Sequence, residues 1–122
     1  MHELSIAEAL ISEVETLAEC ERAVAVRRVV LMLGDLSGVD PEALRTAFPV
    51  AAEGSRAAEA ELVIEKVSAR VRCSVCGHTE PADDYAVICS LCGAVAVEIT
   101  EGRELLIKSL ELSVEERQVE NV

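Results

Sequence analysis

Apolar residues recur at helical spacing near the start of the chain. Ile6, Leu10, Val14 and Leu17 fall on one stripe, while Glu13, Glu15 and Glu19 lie off it and, with Glu21, read as a solvated face. Ser5 followed by Glu8 forms a capping box, so the pattern predicts a helix over 6–20 with residues 1–3 outside it. From Val24 to Leu33 both alternating sets become apolar after Arg28 (Val30 and Met32; Val29, Leu31 and Leu33). That reads as a strand covered on both faces or central in a small sheet, ended by Gly34-Asp35 and Ser37-Gly38. Asp40-Pro41-Glu42 then starts a second helix, with an N-cap acid, a proline at the first helical position and an acid beside the positive dipole end. Leu44, Ala47, Phe48 and Ala51 make its inner face, and Pro49 is expected to kink it or finish it early, before Gly54.

Ala60–Val67 alternates as a half-buried strand, which Arg70-Val-Arg72 carries onward. Pro81–Asp84 reads as a turn, Tyr85–Ile88 as a short strand, Val95–Ile99 as an exit and Glu101-Gly102 as a turn. Glu104–Leu112 supplies a third strand for the main sheet, and Val114–Val122 is acidic, aperiodic and expected to fray. The fold class is therefore α+β. Two helices on a three-stranded sheet form a small mixed lobe, residues 1–68 and 98–122, interrupted by a zinc-ribbon-like lobe over 69–97.

The inserted stretch carries the clearest chemistry. Cys73-Ser-Val-Cys76-Gly-His78 is followed by Cys89-Ser-Leu-Cys92-Gly93, two Cys-x2-Cys pairs separated by residues 77–88. Two thiolates three positions apart on a tight turn face one point, and turn amides can donate to their sulfurs. The following glycine lets the chain leave with positive φ. Two such turns present four sulfurs tetrahedrally, as in a closed structural zinc site with Zn–S of roughly 2.3 Å and no open position for substrate. Iron would fit the same cage. A disulfide framework does not suit five cysteines without an export signal. Cys20 reads as a small buried hydrophobe.

Composition narrows the partners. Of 122 residues, 23 are acidic and 11 basic, giving a formal net charge of −12, and aromatics are 2%. A phosphate backbone needs cationic side chains and single strands need stacking rings, so nucleic acid is not expected. Anionic membranes would be repelled. No run of eighteen apolar residues occurs, and Glu3 and Glu8 replace the basic and apolar regions of a signal peptide, so a cytoplasmic location is expected.

No nucleophile–base constellation or phosphate loop is evident, so the chain reads as a non-enzyme. Its histidines are His2 and His78. A free α-amine, the His2 amide nitrogen and the His2 imidazole, adjacent in the chain, can form fused chelate rings of the planar, nitrogen-rich kind that Ni(II) and Cu(II) favour. Met1 would supply the amine, and Glu3 its carboxylate or amide nitrogen. A histidine at position two is also commonly just exposed. His78 could donate to a cysteine sulfur, exchange as a ligand or sit in solvent. On the residues alone, an acidic zinc-ribbon interaction module without a nickel role and an iron-bearing electron carrier both stand.

The opening Met-His-Glu-Leu-Ser, the run LRTAFPVAAEGS from Leu44 to Ser55, the cysteine spacing and the closing GRELLIKSLEL resemble the HypA/HybF family of nickel metallochaperones. The resemblance spans Met1 to about Leu112. It implies Ni(II) as transported cargo, held by the amine and amide nitrogens at Met1, His2 and Glu3 with the His2 side chain essential. It implies structural Zn(II) on Cys73, Cys76, Cys89 and Cys92. It further implies delivery to a NiFe-hydrogenase large-subunit precursor with a HypB-type GTPase, and in some organisms service to urease with its accessory proteins. The chain would act as a monomer or weak homodimer. Ser90 stands where the family's usual proline is expected, and Pro49 where a helix-compatible residue would be more usual.

Overall fold

A computed structural model of the chain describes residues 2–82 and 88–114. The architecture is α+β: helix α1 (Glu3–Cys20), strand β1 (Ala23–Gly34), helix α2 (Pro41–Ala52), then β2 (Glu61–Val67), β3 (Arg70–Cys73), β4 (Thr79–Pro81), β5 (Val97–Glu101) and β6 (Leu105–Val114). The strands form two three-stranded sheets, ordered β2-β1-β6 and β4-β3-β5. The chain divides into two compact units, Met1–Leu31 with Val39–Ile64 and Ile107–Val122, and Met32–Gly38 with Glu65–Leu106.

The first unit is built on an aliphatic core. Ile11, Val14 and Ala18 of α1 meet Ala23, Val26 and Val29 of β1, and Phe48 and Ala52 of α2. Leu62, Ile107, Leu110 and Leu112 pack around them. Each fully buried large side chain contributes roughly 1.5–3 kcal/mol relative to exposure. β1 is central in its sheet, as its two apolar faces predict. Asp40 caps α2, its carboxylate accepting the Glu42 N–H at 3.0 Å, with Pro41 at the first helical position.

Several local expectations are corrected. α1 begins at Glu3 rather than residue 6, with His2 as N-cap, so Ser5 lies inside the helix instead of capping it. Its buried face is Ala7, Leu10, Ile11, Val14 and Ala18; Leu17 is 40% exposed and Ile6 half-buried. Cys20 is exposed, at the last position of the helix. Glu15 is no solvated acid: its carboxylate accepts the Arg56 N–H at 2.6 Å and pairs with the Arg56 guanidinium. α2 continues past Pro49 and finishes at Ala52, before Gly54 as expected. The ring is on the exposed side while Phe48 and Ala52 hold the core side, so packing outweighs the lost backbone bond.

In the second unit β3 pairs antiparallel with β4 (Val71 opposite Glu80) and with β5 (Cys73 opposite Val97). Pro81 is the last residue of β4. The expected turn through Asp84, the strand over Tyr85–Ile88 (as far as Val87) and the frayed tail after Val114 lie outside the described residues.

Candidate metal centre

The two Cys-x2-Cys turns are close copies of each other. Val75 and Cys76 donate their amides to Cys73 Sγ at 3.3 and 3.5 Å. Leu91 and Cys92 donate theirs to Cys89 Sγ, both at 3.4 Å. The Gly77 and Gly93 amides return to the Cys73 and Cys89 carbonyls at 2.9 Å, with φ of +80° and +78°. Such φ values are what a Cβ-bearing residue resists. His78 and Ala94 carbonyls accept the Cys73 and Cys89 amides, both at 2.8 Å. β3 delivers the first turn, and Ser74 anchors it by donating N–H and Oγ to the Ala96 carbonyl at 2.7 and 2.9 Å.

Together the turns bring four sulfurs into one cage. Cys73 Sγ lies 3.7 Å from Cys92 Sγ, and Cys76 Sγ 3.7 Å from Cys89 Sγ. All four sulfurs lie within 4.8 Å of one another. A tetrahedron with metal–sulfur bonds of roughly 2.3 Å has an edge of about 3.8 Å, so the donor set fits a tetrahedral ion such as zinc. A disulfide would need sulfurs at about 2.05 Å. Cys73 and Cys89 are buried and Cys76 and Cys92 exposed.

Without an ion the four thiols cannot ionise alike. The Cys76 amide, and then that of Val75, favour the Cys73 thiolate against burial, bringing its pKa down to about 6. At Cys92 the Ala94 amide favours the thiolate, but desolvation and hydrogen bonds with Cys73, Cys76 and Cys89 outweigh it and push the pKa up to about 12. A divalent cation removes this conflict by meeting all four sulfurs as thiolates.

Beside the cage, Glu80 accepts from the Ser90 N–H at 3.2 Å and from the Ser90 hydroxyl. These bonds, the hydroxyl's first, hold its carboxyl below the usual range. His78 Nε2 lies 3.7 Å from Glu80 Oε1, so its side chain faces this carboxylate. Sequence reasoning gave Glu80 no part, because cysteine spacing carries no information about which neighbour supports a turn.

At the other end of the chain, the exposed His2 caps α1 without a side-chain capping bond, and its carbonyl accepts the Ile6 N–H at 2.9 Å. Glu3 Oε2 accepts the Asp40 N–H at 3.1 Å, which brings the start of α2 beside the N-terminal motif. Asp40 was legible only as a helix cap. Met1 lies outside the described residues. A shallow apolar groove lined by Leu4, Ala43, Ala47 and Val50 adjoins Glu3.

Residues 1–112 match a family model described as hydrogenase/urease nickel incorporation metallochaperone, HypA. The hydrogenase maturation factor HypA of Chlorobium luteolum is 44% identical over 110 residues, covering 90% of this chain and 94% of that protein. Its counterpart from Aquifex aeolicus is 36% identical, covering 94% and 100%. Among solved structures, the solution structure of the nickel metallochaperone HypA from Helicobacter pylori superposes with a TM-score of 0.72 at 31% identity, covering 94% of this chain and all of that one.

Proposed function

The chain belongs to the HypA family of hydrogenase/urease nickel-incorporation metallochaperones, and from that premise we propose that it carries Ni(II) at its N-terminus and hands it to a NiFe-hydrogenase large-subunit precursor. The family is one of maturation factors, not of catalytic enzymes. In this reading Met1, His2 and Glu3 hold the nickel through the amine, the amide nitrogens and the His2 imidazole. Cys73, Cys76, Cys89 and Cys92 hold zinc as a structural ion. Residues 1–68 with 98–122 are the nickel-binding lobe and 69–97 the zinc-binding lobe. A HypB-type GTPase is the working partner, with urease accessory proteins as further partners, in the cytoplasm. No helix among the described residues is long and apolar enough to cross a membrane.

One observation carries the reading: the family match runs from residue 1, and His2 sits at the N-cap of α1 with its imidazole unused in capping. The first amides of a helix have no intrahelical acceptor. The nitrogens of His2 and Glu3 can therefore become metal ligands without breaking the helix ladder. An amide that gives up its proton to bind nickel becomes anionic, and the positive end of the helix dipole favours that charge. A site made from a chain terminus also releases its ion more readily than a closed cage.

Complementation tests the delivery claim. A strain lacking its own family member, supplied with this chain, should regain nickel content and activity in its hydrogenase, and His2→Ala should restore neither. Restoration by His2→Ala equal to that of the unaltered chain would refute the assignment.

A further inference from the structure

Within β4, Thr79 and Pro81 face solvent while Glu80 turns inward, its side chain only 19% exposed. A carboxylate withdrawn from water costs free energy unless donors meet it. Here the donors come from the second cysteine turn, through the Ser90 amide and hydroxyl. β4 is paired with β3, and β3 ends in Cys73. Glu80 therefore ties the strand that carries the first sulfur to the turn that carries the third and fourth, without passing through the ion. The first turn has its own cross-tie from the same position, Ser74 to the Ala96 carbonyl. In each turn the serine directly after the first cysteine reaches across the lobe. The Ser90 tie is of the stronger kind, because its acceptor is ionised.

We propose that Glu80 is a positioning residue for the metal: its carboxylate clamps the second turn through Ser90, keeps Cys89 and Cys92 in place, and so sets how fast the ion leaves. This rests on Cys73, Cys76, Cys89 and Cys92 being the zinc ligands. Loss of an ion from a four-sulfur cage begins when one sulfur swings away, and a turn held by two charge-assisted bonds opens less often. A proline at position 90 would offer Glu80 neither donor. Groups that orient metal ligands are typically worth 10–100-fold in metal affinity.

The test uses the zinc-loaded, full-length protein. Transfer of zinc to a chromophoric chelator should be ~10–100-fold faster in Glu80→Ala than in wild type, with Ser90→Ala and Glu80→Gln between them. Because the two residues act as one device, the Glu80→Ala/Ser90→Ala double variant should be no faster than Glu80→Ala alone. Alkylation followed by mass spectrometry should reach Cys89 and Cys92 before Cys73 and Cys76 in the variants. General loosening would expose both pairs together. Should Glu80→Ala fail to fold, Ser90→Ala and Glu80→Gln carry the same comparison. Rates within about twofold of wild type, or equal alkylation of both pairs, would overturn the clamp while leaving the zinc site intact. A wild-type protein that takes up no zinc would remove the reading beneath it, and the clamp with it.

Discussion

The amide of Asp40, the residue that caps α2, donates to the carboxylate of Glu3 at 3.1 Å in the first turn of α1. One carboxylate oxygen of Glu3 is thus already engaged, and the tie fixes where the N-terminal motif starts. Glu3→Ala keeps the backbone nitrogen and loses the tie. Nickel binding by Glu3→Ala is therefore expected to weaken by roughly 3–10-fold, the scale of one exposed hydrogen bond, without being abolished. Competition against a chromophoric chelator measures this, and complete loss of binding would show instead that the carboxylate is an indispensable ligand.

Glu15 and Arg56 are each about one-third exposed, and Glu15 meets both the Arg56 backbone amide and its guanidinium. Arg56 also donates to the Ala23 carbonyl at 3.1 Å, so the pair joins α1, the start of β1 and the segment after α2. Glu15→Ala leaves these donors without their acceptor and is expected to cost about 2 kcal/mol. Urea unfolding at constant m-value reads this loss directly. By contrast, the exposed Arg45–Glu42 pair is expected to be worth less than about 1 kcal/mol.

A Cβ on Gly34 would stand 2.1 Å from the Gly102 carbonyl oxygen, with backbone on both sides of the clash. The close approach is used: Gly34 N–H donates to Glu104 O at 2.8 Å and Leu36 N–H to Gly102 O at 2.6 Å. Gly34→Ala is expected to destabilise by about 3 kcal/mol, since the obstacle is main chain that cannot rotate away. A lowered thermal midpoint with reduced soluble yield is the expected result, and an unchanged midpoint would contradict the packing.

Removing the metal exposes the conflict among the thiols. The lowered pKa of Cys73 contributes stability above the ordinary thiol value near 8.5, and that contribution is lost as pH falls through about 6. The raised pKa of Cys92 contributes below the ordinary value and is lost as pH rises through about 12. The thiol-linked stability of the chelator-treated lobe should therefore peak near the ordinary thiol value and fall on either side. Urea titrations across this range, against a Cys73→Ser/Cys92→Ser variant, check it; a flat difference between the two proteins would contradict it. Helical circular dichroism should survive chelation, because the core around α1 and α2 contains none of the four cysteines.

Much of this was legible because the signals were strong and local. Cysteine spacing announces the turns, and the doubly apolar run through Leu33 announces a central strand. Asp40-Pro41 announces the start of α2. What was missed depends on partners distant in sequence. The buried stripe of α1 uses Ala7 and Ala18, which carry little hydrophobic signal but lie buried where Ile6 and Leu17 were expected. Ser5 and Glu8 match a capping box, yet the helix starts earlier, with Glu3 as an acid in its first turn. Glu15 reads as a solvated acid until Arg56 is seen to meet it, and Glu80 carries no signal at all until Ser90 is seen beside it.

The claim at the centre is that nickel is held through His2. Ni(II) titrated into untagged, zinc-loaded protein with its native Met1, followed by absorbance and bound metal, tests it most directly beside His2→Ala. The account predicts one nickel per chain with the spectrum of planar nitrogen coordination, lost in His2→Ala while the zinc content and fold persist. Nickel binding that is absent, or indifferent to His2, would contradict it.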